Sequence, residues 1–213
     1  MENIETEFTS GEYNTSNIDS GQDDVIEKGN MKITLKAANN KENNTNYNIT
    51  QINLGECENK LRLYYNISKE KSLYLKQIEV NQDGMKIPKI EYDIYSKLNG
   101  NNLVKLNKSV CRDVKVDIFI PIIISENIDK LNSSSGYYND ICYITTSESG
   151  TDISLKDRKN EFINNNKTVC QEDCDFSEYD FNTNNAKCKC KVKESAKSFA
   201  DMNIDKTKFL IIS

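Results

Sequence analysis

Four cysteines fall within 21 residues of this chain, in the run VCQEDCDFSEYDFNTNNAKCKC, and no other feature restricts the fold as tightly. They are Cys170, Cys174, Cys188 and Cys190, and Cys57, Cys111 and Cys142 bring the total to seven. Sulfurs this close form disulfides, hold a metal or do redox chemistry. Zinc sites commonly carry two-residue gaps in both halves of the ligand set, and C-x3-C followed by C-x-C has neither. A redox dithiol needs a close pair at a helix start, whereas Cys188 and Cys190 fall on a predicted strand between lysines. Disulfides are therefore the expectation for all seven cysteines, with an intracellular zinc module built on Cys170, Cys174, Cys188 and Cys190 as the alternative. Cys57 with Cys111 would close a long loop, worth about 4 kcal/mol in the chain-entropy account. Cys174 with Cys188 would staple the final hairpin. The two cysteines of the C-x-C pair are expected to point to opposite faces of their strand and so to reach different partners. An odd count leaves one sulfur whose mate lies outside these residues.

Charge and composition narrow the function classes. The chain of 213 residues has no histidine, which removes Ser-His and Cys-His nucleophile pairs and the commonest metal ligand. No carboxylate pair stands out by spacing, so no enzyme, cofactor or catalytic residue is expected. Of the formal net charge of −5, residues 1–28 carry an excess of seven acids, and the remainder is close to neutral. A near-neutral body with mixed signs argues against nucleic-acid binding. There is no apolar run of 18 residues that would span a membrane, and the first residues, MENIETEFTS, do not read as a secretory leader.

The pattern along the chain predicts a mainly β, antiparallel, sandwich-like fold with two short helices, stabilised by disulfides. Residues 1–30 read as a disordered acidic tail or linker. Residues 31–135 read as a β-rich domain with one helix, 136–208 as a cysteine-rich subdomain ending in the stapled hairpin, and 209–213 as the start of a truncated C-terminal segment. MKITLKA is the first expected strand. ECENKLRLYYN places Cys57, Leu61, Tyr64 and Tyr65 on one helical face. SLYLKQIEV and IPKIEYDIY flank Asp83-Gly84 as a hairpin, with Ile90, Tyr92 and Ile94 turned one way and Lys89, Glu91 and Asp93 the other. NLVKLNKSVC and DVKVDIFIPIII make a further strand pair, with Val114, Val116, Ile118 and Ile120 on one face and Pro121 ending regular pairing. Ser154 is expected to cap the second helix, with Asp157 near its positive end. Phe176, Tyr179 and Phe181 are the expected packing residues of the final hairpin. Tyr64-Tyr65 and Tyr137-Tyr138 are candidate contact residues, although half-buried core positions are the more common fate of such pairs.

Seven N-glycosylation sequons begin at Asn14, Asn43, Asn48, Asn66, Asn107, Asn132 and Asn166. Composition alone predicts about four. Asn48, Asn66, Asn107, Asn132 and Asn166 are the candidate glycan sites.

The segments NSSSGYYNDICYITTSESGTDISLKDRKNEF, NNNKTVCQEDCDFSEYDF and AKCKCKVK resemble a multicopy family of protist cell-surface membrane proteins. The likeness spans roughly residues 50–208. It implies a cysteine-bearing, β-rich ectodomain on the extracellular face of the plasma membrane or in the secretory lumen. A further cysteine and a membrane anchor would then follow the segment seen here, so membrane contact would run only through residues outside it. KTKFLIIS, which ends on an apolar run, is read as the cut end of a longer chain. The expected function is non-enzymatic: binding an unknown protein or carbohydrate ligand, or structural spacing.

Overall fold

Alternating burial along residues 115–121 and 185–191, and near-continuous burial along 31–37, 73–80 and 89–97, build two antiparallel sheets whose apolar faces meet. The computed structural model describes residues 7–8, 10–38, 48–83, 85–98, 100–147, 149–164 and 167–194. Its strands are β1 (Asp24–Lys28), β2 (Met31–Ala37), β3 (Gln51–Asn53), β4 (Leu73–Val80), β5 (Lys89–Lys97), β6 (Leu103–Lys105), β7 (Lys115–Pro121), β8 (Cys174–Asp180) and β9 (Asn185–Lys191). The helices are α1 (Ser16–Asp19), α2 (Glu56–Tyr64), α3 (Gly136–Asn139) and α4 (Leu155–Asn164). One sheet runs β1-β2-β4-β5-β6 and the other β3-β7-β9-β8, with every pairing antiparallel. Mainly β with two short helices of more than one turn is thus the observed architecture.

The expected hairpin forms as β4 and β5, from Leu73 opposite Ser96 to Val80 opposite Lys89. Ile90, Tyr92 and Ile94 on β5 enter the main core beside Leu73 and Leu75, and Val116, Ile118 and Ile120 meet them from β7. Gly84 of the expected turn lies outside the described residues. β7 ends at Pro121, as a residue without an N–H requires. Ser154 caps α4: its hydroxyl accepts the Asp157 N–H at 3.2 Å and contacts the Asp157 carboxylate at 2.7 Å.

Several expectations need correcting. β6 and β7 are not partners; β6 extends the first sheet beside β5, and β7 sits centrally in the second between β3 and β9. The boundary at residue 135 does not separate two structural units, because the second sheet draws β3 and β7 from one side of it and β8 and β9 from the other. One core cluster accordingly runs from Ile52 to Cys190. In α2, Cys57 and Leu61 are fully buried, but Tyr64, the last helical residue, is 68% exposed. Phe181 lies in the turn after β8 and is 69% exposed, so only Phe176 and Tyr179 of that trio pack against the core. Residues 195–213, including the expected truncated segment, lie outside the described residues.

Residues 7–30 are the largest difference, because the described part of the expected tail is folded onto the first sheet. Its acidic composition hides three well-placed side chains. Phe8 and Ile18 join Leu35, Tyr74, Tyr95 and Leu103 in a second core cluster, with Tyr13 packed against it. Phe8 meets Tyr95 edge-on at 5.3 Å. The acids themselves are used: Asp19 accepts the Tyr74 hydroxyl at 2.6 Å and pairs with Lys97 at 3.4 Å. Few apolar residues suffice here because the sheet supplies the rest of the cluster. Ile18→Val is expected to cost about 1 kcal/mol in a urea titration, whereas a detached tail would show no change.

Candidate functional site

The final hairpin decides how the cysteines meet. The register of β8 against β9 sets Cys174 opposite Cys190 and Phe176 opposite Cys188. Cys174 accordingly bonds Cys190, with Cα atoms 4.0 Å apart, and the expected Cys174–Cys188 bond does not form. Cys188 instead reaches Cys170, which the turn before β8 brings to a Cα separation of 5.7 Å. The expectation that Cys188 and Cys190 point to opposite faces also fails. Residues two apart on a strand share a face, and both sulfurs are buried on the core side of β9. Cys57 bonds Cys111, joining α2 to the 3-10 turn that precedes β7. Cys142 is free and exposed, so within the described chain it is not a disulfide cysteine.

All four sulfurs of the proposed zinc set are consumed in disulfides, which leaves that alternative without a thiolate. Among the described residues no group of three or more His, Cys, Asp or Glu side chains is arranged to hold a metal. Three disulfides in a chain of this size belong to an oxidising environment, extracellular or secretory. Among the described residues no helix is long and apolar enough to cross a membrane.

Two of the cystines wall a cleft of about 810 Å³ beside β5. Ile87, Ile90, Ile118 and Phe162 line it together with Cys170, Cys174 and Cys190, and Lys191, Lys193, Glu172 and Asp173 stand around it. Its polar geometry follows from the shortness of β6. Because β6 pairs only with residues 95–97 of β5, the edge of β5 beyond them must be completed by other groups. The Leu106 N–H donates to the Ile94 carbonyl at 2.7 Å. Lys108 donates its ammonium to the Tyr92 carbonyl. Gln171, from the cystine loop, accepts the Ile90 N–H at 3.1 Å. An edge that would otherwise invite another strand is closed by one backbone group and two side chains.

Lys108 is buried, lies 4.5 Å from the centre of the Tyr92 ring and sits 3.6 Å from Asp93. Burial pushes its ammonium below the ordinary lysine value, against the opposing pull of Asp93. Burial, with Asp93 adding to it, drives the Tyr92 phenol far above the ordinary tyrosine value. At the rim, the Lys193 ammonium bonded to Asp173 at 2.5 Å holds that carboxyl below its usual range. The cleft thus presents an apolar floor of side chains and sulfur beneath a rim of both charge signs. Sequence reasoning missed Lys108 and Gln171, and only the abrupt end of the alternation after Leu103-Val104-Lys105 signals that β5 needs other partners.

The remaining candidates separate clearly. Tyr137 and Tyr138 are buried, with Tyr137 donating to Glu161 at 2.8 Å and Tyr138 to the Lys130 carbonyl at 2.7 Å. They are packing residues. Of the other pair, Tyr64 is exposed while the Tyr65 hydroxyl accepts the Asn107 N–H at 2.8 Å. Asn48, Asn66 and Asn107 are exposed, Asn132 is half-buried, and Asn166 lies outside the described residues. Asn107 and Asn132 each use the side-chain oxygen to accept the N–H two residues on. No family model, curated protein or solved structure matches the chain.

Proposed function

We propose that this chain is a non-enzymatic extracellular module of a cell-surface membrane protein, one that binds a protein or carbohydrate ligand or spaces such a site from the membrane. The observation that carries it is the set of three disulfides, two of which wall the cleft beside β5. A β-rich body closed by cystines suits a compartment that keeps sulfur oxidised. The cleft, with its apolar floor and mixed-charge rim, is where a ligand would sit. The resemblance to protist multicopy surface proteins supports the same placement, with the membrane anchor in a segment beyond these residues.

The test is a non-reducing peptide map of protein made in a eukaryotic secretory pathway. It is expected to show Cys57–Cys111, Cys170–Cys188 and Cys174–Cys190, a free Cys142, and glycan at Asn48, Asn66 and Asn107 that an endoglycosidase removes. Recovery of all seven cysteines as thiols from natively produced protein would defeat the reading.

A further inference from the structure

Among the described residues the two sheets present four edge strands, and three of them are blunted. β3 and β6 are three residues each, and β8 carries a register shift between Phe176 and Glu178. Short or bulged edges discourage pairing with other chains. β1 differs from all three: five residues, regular register against β2, and no proline. Val25 is 42% and Ile26 44% exposed on it.

The backbone of β1 fixes which groups remain for a partner. Gly29 and Asn30 form a two-residue hairpin connection with Gly29 at φ 62°, so Lys28 and Met31 flank it as a hydrogen-bonded pair. Alternation along an antiparallel ladder then commits Lys28, Ile26 and Asp24 to β2 and turns the N–H and C=O of Val25 and Glu27 outward. The sequence of β1, Asp-Val-Ile-Glu-Lys, is complementary to itself when run antiparallel about Ile26. Asp24 then faces Lys28 of the second copy, Val25 faces Glu27, and Ile26 faces Ile26.

We propose that β1 is a homotypic docking edge, through which a second copy of this chain joins the first sheet by antiparallel β1–β1 pairing about Ile26. Val25 and Glu27 exchange backbone hydrogen bonds across the two-fold axis. Two Asp24–Lys28 ion pairs flank the central isoleucines on the face that Ile26 shares with Ile33. The contact is isologous, so it closes at two copies. A strand of this length spans about 17 Å and buries well under about 1,000 Å², which makes the dimer weak and reversible.

The test uses the chain with Cys142→Ser, which removes the free thiol. Sedimentation velocity from about 10 µM to about 1 mM, the range a small interface demands, is expected to show a monomer–dimer equilibrium. Adding Ile26→Cys should give a covalent dimer on mild oxidation, because a central non-hydrogen-bonded pair brings Cα atoms to about 4.5 Å. Val25→Cys, displaced from its own copy, should not cross-link. Lys28→Asp should weaken association by about tenfold, whereas Asp24, whose carboxylate also accepts the Tyr13 hydroxyl, is left unchanged. Equal cross-linking at positions 25 and 26, a dimer indifferent to the charge reversal, or a monomer throughout with no Ile26→Cys cross-link would each overturn the proposal.

Discussion

A chain carrying Cys57→Ala and Cys111→Ala is expected to lose about 4 kcal/mol of stability, the largest loss of any bridge. The bridge joins residues 54 apart, and a loop of that size forfeits more entropy on closure than the loops of 18 and 16 residues closed by the other two. Both cysteines are fully buried, so their replacement also leaves apolar surface in the main core poorly filled. The Cys170–Cys188 and Cys174–Cys190 bridges are expected to contribute about 3 kcal/mol each. Cys174–Cys190 should fall lowest in practice, since its cysteines are already held together by the β8–β9 ladder. Guanidinium unfolding of the three double alanine variants gives the ranking. A chain whose loss is smallest for Cys57–Cys111 would show that loop entropy does not govern these bonds. With a total stability in the usual range of about 5–15 kcal/mol, loss of this bridge alone leaves little margin, and full reduction is expected to unfold the module.

How far the sequence discloses this structure depends on whether the interaction is local. The alternation of Ile90, Tyr92 and Ile94, or of Val116, Ile118 and Ile120, is a local consequence of one buried sheet face, and both strands were legible from it. So was the cap at Ser154, whose partner is three residues away. The Cys57–Cys111 bridge was also expected, as a helix cysteine and one at a strand start closing a long loop. The details of the cystine hairpin were not, because its pairing depends on register: the four-residue turn alone would set Cys174 opposite Lys191, and the register shift between Phe176 and Glu178 moves it opposite Cys190, two residues from the mate expected. Phe8 and Ile18 were hidden for a different reason. Their partners Leu35, Tyr74, Tyr95 and Leu103 lie on four strands, so the segment has no amphipathic pattern of its own. The cleft was illegible in the same way, since Gln171 meets Ile90 across 81 residues and Lys108 reaches β5 through a side chain.

Stability is expected to rise with pH between about 8 and 9.5 because of Lys36. This residue lies on β2 and is 3% exposed, with its ammonium donating to the Thr50 carbonyl at 3.0 Å and to the Gln51 side-chain oxygen at 3.2 Å. Burial lowers its pKa to about 8, with Asp23 and Glu79 opposing the shift and Lys32 adding to it. In the unfolded chain the same lysine holds its proton until about pH 10.4. Below pH 8 it is charged in both states and the full cost of burying the charge, roughly 3 kcal/mol, is borne by the fold. Between the two values the unfolded chain binds a proton that the folded one has released, so raising the pH favours folding. The gain reaches about 2 kcal/mol by pH 9.5. Above about pH 10 the buried tyrosines reverse the trend: the Tyr137 phenol is pushed up to about 12, chiefly by burial, so the unfolded chain ionises first. Urea titrations of the Cys142→Ser chain, which has no free thiol to attack the disulfides, should therefore show a rising slope over this window. Lys36→Met should leave only the smaller contribution of Lys108, whose burial acts in the same direction. Comparing slopes rather than absolute values separates this effect from the lost donation to Thr50, whose carbonyl keeps the Gln77 amide as a donor at 3.0 Å. An unchanged slope in Lys36→Met would show that the lysine buried between Thr50 and Gln51 is not the group that releases the proton.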